Sequence, residues 1–296
     1  MRSSDTLGRA TFHHIEKRRG IRPTPREIRW LKHIERHGPQ SSLYLHEMTA
    51  DTHRDPDTSR RMLQKLRAGG FLHCPRQQRA TENANFNAYI YDLTDQARRF
   101  LLNGDLAEDT VRPGGHWAHQ YMTACITSSI DVCAARDGVG YIDGQKVLDR
   151  SGATLGVEID NKRMIPDQLF GLDYGGRYRF YCVEADRGTE PKSSAAARKS
   201  YRSSIEDYRQ FIGEGLYKQH YGLTAGMLLL YVFSSRSNEE AFLDAVEEQI
   251  GGGAAYILTQ TIDGFDGWFR PPSLLRQLWS GGWRRAGRSD FQIDRP

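Results

Sequence analysis

The chain has 296 residues, of which 38% are hydrophobic and 26% are charged, and its formal net charge is +4. This composition is typical of a soluble globular protein that is long enough for two domains. The sequence has no run of 18 apolar residues, and its polar, basic N-terminus lacks the apolar core of a secretory signal, so we expect no membrane span and a cytoplasmic location.

Positive charge is concentrated in the first third of the chain. Residues 1–105 contain 19 Lys and Arg against 12 Asp and Glu, whereas residues 106–296 contain 22 against 25. The two parts therefore carry net charges of +7 and −3. A basic segment on a slightly acidic body predicts that the first part binds a polyanion. A basic surface that is merely solvated is the alternative.

The basic third shows helical periodicity after a polar start. Residues 1–20 lack apolar periodicity and contain Lys17-Arg18-Arg19, so we predict a flexible basic arm. Residues 21–105 then predict helices near 24–38, 42–49 and 57–68, short strands near 71–74 and 88–93, and a helix that begins after Thr94. This order of elements predicts a winged helix-turn-helix domain.

The third predicted helix, in DPDTSRRMLQKLRAGGF, separates apolar from basic side chains. Met62, Leu63 and Leu66 share one face and are predicted to pack inward. Arg and Gln on the opposite face can make paired hydrogen bonds to bases in the major groove, and arginines on the wing can reach phosphates. A winged helix that contacts another protein is the alternative. The predicted DNA-binding residues are Arg60, Arg61, Gln64, Lys65, Arg67, Arg76 and Arg79.

A second domain follows a short boundary. Residues 106–116 contain Pro113-Gly114-Gly115 and few apolar side chains, which predicts a linker. Residues 117–265 alternate helical with strand-like segments, including a hairpin that ends near residue 186, a helix over 199–213 and the apolar strand GMLLLYVFSS. Helices on a mixed sheet make the chain α/β overall. Residues 266–296 are predicted to be a C-terminal tail.

The strand in FYCVEADRGTEP ends in carboxylates. Because side chains alternate along a strand, Glu184 and Asp186 leave the sheet on the same face. Asp167 precedes the neighbouring strand of the hairpin and is expected to lie close to both. Clustered carboxylates repel each other unless a cation or a proton intervenes, and oxygen ligands suit Mg²⁺ or Mn²⁺. We therefore predict that these three residues bind a divalent metal. A structural network with nearby arginines is the alternative.

These motifs resemble those of known nucleases. Pro166-Asp167, a hairpin and then Glu184-x-Asp186 is similar to the PD-(D/E)xK nuclease core. More narrowly, PD…FYCVEADRGTEP, followed by a helix with a tyrosine and then YG and an apolar strand, resembles the replication-relaxation family over about residues 20–260. That resemblance implies a winged helix joined to a restriction-endonuclease-like α/β domain. It also implies double-stranded DNA as the partner and a role in plasmid replication or relaxation.

The chain departs from the nuclease pattern at one position. Asp186 stands where that pattern has lysine. Lys199, on the next predicted helix, is a candidate replacement, and we predict a catalytic set of Asp167, Glu184, Asp186 and Lys199. By helical angle, however, Lys199 points away from the stripe formed by Tyr201, Ile205 and Tyr208, so a migrated lysine is not assured.

Two functions consequently stay open at the level of sequence. One is a metal-dependent DNA nickase or endonuclease. The other is a non-catalytic DNA-binding initiator or transcriptional regulator with a degenerate nuclease fold. A homodimer would suit either function, because winged-helix proteins often bind paired half-sites.

Overall fold

The computed structural model describes residues 12, 14–52, 54–80, 88–108, 110–111, 115–188, 201–265 and 272–296. It divides into two compact units. The first comprises Met1–Arg112 and Gly267–Leu274, and the second comprises Pro113–Asp266 and Leu275–Pro296. Most of the predicted basic arm lies outside the described residues. In the part of the chain that the structure describes, no helix is both long enough and apolar enough to cross a membrane.

The described part of the first unit contains four α-helices and three short strands. In chain order they are α1 (Pro25–His37), β1 (Gln40–Ser41), α2 (Ser42–Met48), α3 (Pro56–Ala68), β2 (Leu72–His73), β3 (Ile90–Leu93) and α4 (Asp95–Asn103). The strands pair antiparallel in the order β1-β3-β2. The predicted helices and both predicted strands are present, whereas the two-residue β1 was not predicted. The assignment as a winged helix stays a prediction.

Local signals in the sequence account for where these helices begin. Thr24 precedes α1, and its backbone N–H and its hydroxyl both donate to Glu27, at 2.7 and 2.9 Å. The carboxylate of Asp55 accepts from the N–H groups of Asp57 and Thr58 at the start of α3. Such caps satisfy backbone donors that have no partner inside the helix.

The core of the first unit forms under the apolar face of α3. Leu63 and Leu66 are fully buried, as predicted, and Met62 packs at the edge of the same cluster. Trp30 is also fully buried, and its indole N–H donates to the carbonyl of Leu45 at 2.8 Å. Burial of the apolar face leaves the opposite face of α3 available to solvent.

The second unit is built on a larger sheet. Its described helices and strands are α5 (Trp117–Arg136), β4 (Gly140–Asp143), α6 (Gly144–Ser151), β5 (Val157–Ile159), β6 (Lys162–Met164), β7 (Gln168–Asp173), β8 (Tyr178–Asp186), α7 (Tyr201–Tyr208), α8 (Leu216–Tyr221), β9 (Met227–Phe233), α9 (Arg236–Gln249), β10 (Ile257–Thr261), α10 (Gln277–Ser280), β11 (Trp283–Arg285) and β12 (Arg288–Phe291). Over the described residues, seven strands form one sheet in the order β12-β11-β10-β9-β8-β7-β4, and β5 and β6 form a separate hairpin.

The large sheet is mixed, which confirms the predicted α/β class. β8, β9 and β10 run parallel to one another, whereas β7 pairs antiparallel with β8 and with β4. β9 is the predicted apolar strand, and six of its seven residues are buried. The strands that carry the predicted carboxylates therefore lie in the interior of the sheet, where the backbone is held on both sides.

The C-terminal segment differs from the prediction of a tail. Among the described residues from 272 onward, β11 and β12 extend the sheet beyond β10. Trp283 is fully buried, and its indole N–H donates to the carbonyl of Leu278 at 3.0 Å. β11 and β12 have only three and four residues, with one aromatic side chain each among polar ones, so no alternation in the sequence revealed them.

Candidate functional site

The candidate site lies where β8 ends. Glu184 is 7% exposed, and Asp186, two residues on, is half-buried. β8 pairs antiparallel with β7 so that Gln168 lies opposite Val183. The residue that precedes β7 therefore meets β8 at Glu184, and that residue is Asp167.

Asp167 is bonded to the peptides on both sides of Glu184. Its backbone N–H donates to the carbonyl of Val183 at 3.0 Å, and its Oδ2 accepts from the N–H of Ala185 at 2.8 Å. Oδ2 of Asp167 thus accepts a hydrogen bond from β8 that a backbone carbonyl of the neighbouring strand would otherwise accept. These two bonds place Asp167 next to Glu184 at the same end of the sheet.

Two tyrosines of α7 donate to the carboxylates of β8. The hydroxyl of Tyr208 donates to Oε1 of Glu184 at 2.5 Å, and that of Tyr201 donates to Oδ2 of Asp186 at 2.5 Å. Burial raises the pKa of Tyr208 well above its usual range, and the charge of Glu184 raises it further. Tyr208 is therefore neutral and remains a hydrogen-bond donor.

His119 of α5 lies against Asp167. Its Nε2 is 2.9 Å from Oδ1 of Asp167. Burial alone would lower the pKa of His119, but the hydrogen bond to Asp167 and the negative charges of Asp167 and Glu184 raise it on balance. The two carboxylates thus stabilise the protonated form of His119 more than burial destabilises it.

Arg187 follows Asp186 directly and adds a second cation. Burial lowers its pKa, and its Nε is buried without a hydrogen-bond partner among the described residues. A buried guanidinium N–H that finds no acceptor in the described chain is costly, and an anionic ligand such as a phosphate would satisfy it. The alternative in which Arg187 pairs with the carboxylates is not observed over the described range.

The donor set fits a hard divalent cation at two of the three carboxylates. Asp167 and Glu184 offer oxygen ligands from adjacent strands, the chemistry that Mg²⁺ and Mn²⁺ prefer. Both oxygens of Asp186 accept hydrogen bonds, Oδ1 from the N–H of Gly188 at 2.5 Å and Oδ2 from Tyr201, and both oxygens of Asp167 are likewise engaged, by Ala185 and His119. As a proposal, we keep Asp167 and Glu184 as ligands because they lie opposite each other on adjacent strands, and we separate Asp186, which lies beyond the part of β8 that pairs with β7.

The predicted DNA-binding residues differ in whether their side chains are exposed or held by other groups of the protein. Arg60, Arg61, Gln64 and Arg76 are exposed. Lys65 is instead held by the fully buried Glu27, with Nζ 2.6 Å from Oε1. The remaining two are Arg67, which donates to the carbonyl of Phe12 at 2.6 Å, and Arg79, whose side chain lies outside what the structure describes.

Some site residues fall outside the described structure, and others were missed from the sequence. Lys199 lies outside the described residues. His119, Tyr201 and Tyr208 were not predicted as site residues. The regular spacing of Tyr201, Ile205 and Tyr208 was a signal for the tyrosines, because it places all three on the face of α7 that packs inward. Nothing in the sequence around His119 connects it with Asp167.

A comparison with known protein families matches a segment that extends over parts of both units. A family model described as replication-relaxation matches residues 31–227, from within α1 to the first residue of β9. The chain belongs to the replication-relaxation family. The match includes α3 of the first unit and the whole acidic end of β8, so both candidate functional regions lie inside it. Membership supports a role related to DNA replication or relaxation.

Other comparisons add little. The comparison with curated proteins gave no match. Among solved structures, the chain is similar to one described as "Structure of SdaI restriction endonuclease", with 12% sequence identity and a TM-score of 0.30 over 83% of this chain and 88% of that chain. A TM-score this low carries no argument about fold or chemistry.

Proposed function

We propose that this replication-relaxation protein binds double-stranded DNA and nicks one strand at the acidic end of β8, in the setting of plasmid replication or relaxation. The observation that carries the proposal is the double hydrogen bonding of Asp167 to the peptides that flank Glu184. Those bonds hold two carboxylates together that would otherwise repel each other. Such an arrangement is more typical of a functional site than of a stabilising contact.

The first unit supplies the DNA-binding surface in this proposal. Arg60 and Arg61 have side chains that are 64% and 75% exposed, and Gln64 lies on the same face one turn further along α3. Arg and Gln on a helix can make bidentate contacts with guanine and adenine in the major groove. Their present partners, Asp57 and Asp55, are themselves exposed, so DNA can displace them at little cost.

The second unit supplies the chemistry. Asp167 and Glu184 would hold a divalent cation, which when bound polarises a phosphodiester and activates a nucleophile. His119 orients the carboxylate of Asp167 through its hydrogen bond. Arg187 has an unsatisfied N–H with which it can hold a phosphate oxygen near the same strand end.

Nicking is tested with supercoiled plasmid and Mg²⁺ or Mn²⁺. We expect conversion to the open-circular form by the full chain and its loss in Asp167→Ala and Glu184→Ala. Asp173→Ala, at the opposite end of β7 from Asp167, is the matched control and keeps the wild-type rate. Nicking that survives in both site variants would overturn the assignment of the site.

DNA binding is tested separately, by the affinity and the sequence preference of the full chain for duplex DNA. Replacing Arg60 and Arg61 with alanine is expected to weaken specific binding by about 1–3 kcal/mol for each lost base contact and to relax the sequence preference. Arg150→Ala removes an exposed charge from α6 and serves as the control. Unchanged affinity and preference in the double variant would place the DNA elsewhere on the protein.

A non-catalytic DNA-binding initiator or regulator is the second candidate. It is favoured by Asp186, which stands at the position of the nuclease lysine and is engaged by Tyr201 and Gly188. Tight, salt-dependent binding by a protein that never nicks plasmid in the presence of either metal would establish this function and exclude the first.

A further inference from the structure

The first turn of α9 lies against the turn that follows the acidic end of β8. Ser234 comes directly after β9, and its backbone N–H donates to the carbonyl of Asp186 at 2.9 Å. A Cβ at Gly188 would lie 2.7 Å from Nδ2 of Asn238 and 3.9 Å from Oγ of Ser234. The start of α9 is therefore packed against the strand end that carries the candidate site.

The first turn of α9 keeps backbone donors that no group of the described chain accepts. Ser235 is the N-cap residue, but its side chain makes no capping hydrogen bond. Its hydroxyl instead pairs with that of Ser237 at 2.9 Å. The N–H groups of Arg236 and Ser237 consequently have no acceptor among the described residues. Unpaired N–H groups at the positive end of a helix form a binding site for an anion.

Ser234 adds a buried hydroxyl to the same corner. Ser234 is 4% exposed, and its Oγ has no hydrogen-bond partner among the described residues. Because Oγ lies next to Gly188 and one residue before the N-cap, it faces the turn that carries the unpaired N–H groups. A polar group that is buried without a partner is rare in native proteins, and a bound ligand would satisfy it.

We propose that the first turn of α9 binds a phosphate group of the DNA strand that passes the acidic end of β8. The donors are the N–H groups of Arg236 and Ser237 and the hydroxyl of Ser234. The proposal rests on the proposed function, since it takes DNA as the ligand of the second unit. It adds a second phosphate contact, which holds the strand beside the carboxylates.

The carboxylates near this turn already have hydrogen-bond donors or cations of their own. Both oxygens of Asp186 accept hydrogen bonds, from the N–H of Gly188 and from the hydroxyl of Tyr201. Glu239, in α9, accepts from two threonine hydroxyls and lies 3.1 Å from the guanidinium of Arg236. These partners reduce the repulsion that a phosphate at the start of α9 would meet.

Two substitutions at one position isolate a backbone donor. Arg236→Pro removes the N–H, and proline fits the first helical position because Ser235 before it is already extended, with φ −137° and ψ 128°. Arg236→Ala removes the same guanidinium but keeps the N–H. Both variants lose the ion pairs of Arg236 with Glu239 and Glu240, so a difference in phosphate affinity between them comes from the N–H.

Binding is measured by amide NMR on the full chain with two probes, inorganic phosphate and a short DNA duplex. Both probes should shift the amide signals of Ser237 and Asn238 in the wild type. Affinity for inorganic phosphate should be about tenfold lower in Arg236→Pro than in Arg236→Ala, the scale of a hydrogen bond to a charged group. The amide of Gln145, which already donates to Asp143 at 2.8 Å at the start of α6, should not shift.

Ser234→Ala gives an independent result. It should weaken the binding of inorganic phosphate about tenfold while leaving thermal stability unchanged or higher, because the hydroxyl has no partner among the described residues. Ser289→Ala, which removes an exposed hydroxyl from β12, is the matched control. A loss of stability in Ser234→Ala without a loss of phosphate affinity would show that the hydroxyl is structural.

The outcomes separate this proposal from the nicking function itself. Equal phosphate affinity of Arg236→Pro and Arg236→Ala would overturn the phosphate site. Shifts with inorganic phosphate that the DNA duplex does not reproduce would also overturn it, because the site would then bind a free anion only. DNA-dependent shifts in a protein that does not nick plasmid would support the phosphate site and remove the nicking function. Nicking by a protein whose α9 amide signals do not shift would do the reverse.

Discussion

Two buried glutamates of the second unit, Glu239 on α9 and Glu184 on β8, stand in opposite electrostatic surroundings. Glu239 is fully buried and accepts hydrogen bonds from the hydroxyls of Thr259 and Thr261, both at 2.8 Å. The guanidinium groups of Arg236 and Arg284 lie 3.1 and 3.3 Å from its Oε2. Glu184 is almost as buried, but it has the carboxylate of Asp167 beside it.

The surroundings of the two glutamates indicate a structural role for Glu239 and a functional role for Glu184. The network of Glu239 joins α9 to β10 and β11, and its cations offset the cost of removing a charge from water. Placing Glu184 beside Asp167 adds repulsion, which the fold must offset elsewhere. Substitutions should therefore affect mainly stability at Glu239 and mainly ligand binding at the end of β8.

The largest effect on stability is expected for Glu239→Ala. Removing the carboxylate leaves two arginines and two threonine hydroxyls without their acceptor, so the free energy of unfolding should fall by about 3 kcal/mol. Denaturant titration measures the change. Glu240→Ala, whose side chain is 55% exposed, should change stability by less than about 0.5 kcal/mol. Equal effects of the two substitutions would contradict a structural role for Glu239.

A second effect extends the comparison to the first unit. Lys65→Ala would leave the fully buried Glu27 without its ammonium partner, and we expect a loss of about 2 kcal/mol because Lys65 itself is partly exposed. Arg61→Ala, on the exposed face of the same helix, should cost less than about 0.5 kcal/mol but weaken DNA binding. Denaturation and DNA titration of both variants give the answer. Greater destabilisation by Arg61→Ala would be inconsistent with these contacts.

A smaller change in stability is expected at the acidic end of β8. Asp167→Asn keeps an acceptor for the N–H of Ala185 and relieves repulsion with Glu184, so stability should change by less than about 1 kcal/mol in either direction. Affinity for Mn²⁺, measured by calorimetry, should nevertheless fall at least about tenfold. Asp173→Asn controls for the loss of a charge. Unchanged Mn²⁺ affinity in Asp167→Asn would remove Asp167 from the ligand set.

The smallest effect concerns the proton on His119. Asp167 raises the pKa of His119, so Asp167→Asn should shift the NMR titration of its imidazole to lower pH in metal-free protein. Because the folded pKa is raised, the pair stabilises the protein fully below the unfolded pKa of histidine. That contribution is lost as pH rises through the folded pKa. An unchanged titration of His119 in Asp167→Asn would contradict the hydrogen bond between the two side chains.

Strong, regular patterns made much of the fold predictable. The apolar run of β9 and the helix start after Thr94 marked elements that the structure contains, with ends within about two residues of prediction. The predicted helix over 199–213 is described from Tyr201 and changes to a π-helical turn at Arg209–Gly213. The strands β11 and β12 were missed because they are too short to show alternation and because their pairing begins on β10, a separate strand of the sheet.

The candidate site was predictable in part for the same reason. Alternation along one strand is a local property, so it placed Glu184 and Asp186 on one face, and the hairpin placed Asp167 near them. The approach of His119 depends on how α5, nearly fifty residues earlier in the chain, packs against the sheet. No periodicity in the sequence encodes a distance between two such separate segments.

Local spacing and composition were enough to predict the α/β class, the family resemblance, the group of Asp167, Glu184 and Asp186, and the absence of lysine at position 186. Only the tertiary structure showed which side chains donate hydrogen bonds to the carboxylates and which basic residues are held in ion pairs within the protein. Lys65 is bound to a glutamate 38 positions away, and Asp186 to a tyrosine 15 positions away. Hydrogen bonds and ion pairs form between groups that packing brings within about 3 Å, and packing is a property of the whole fold.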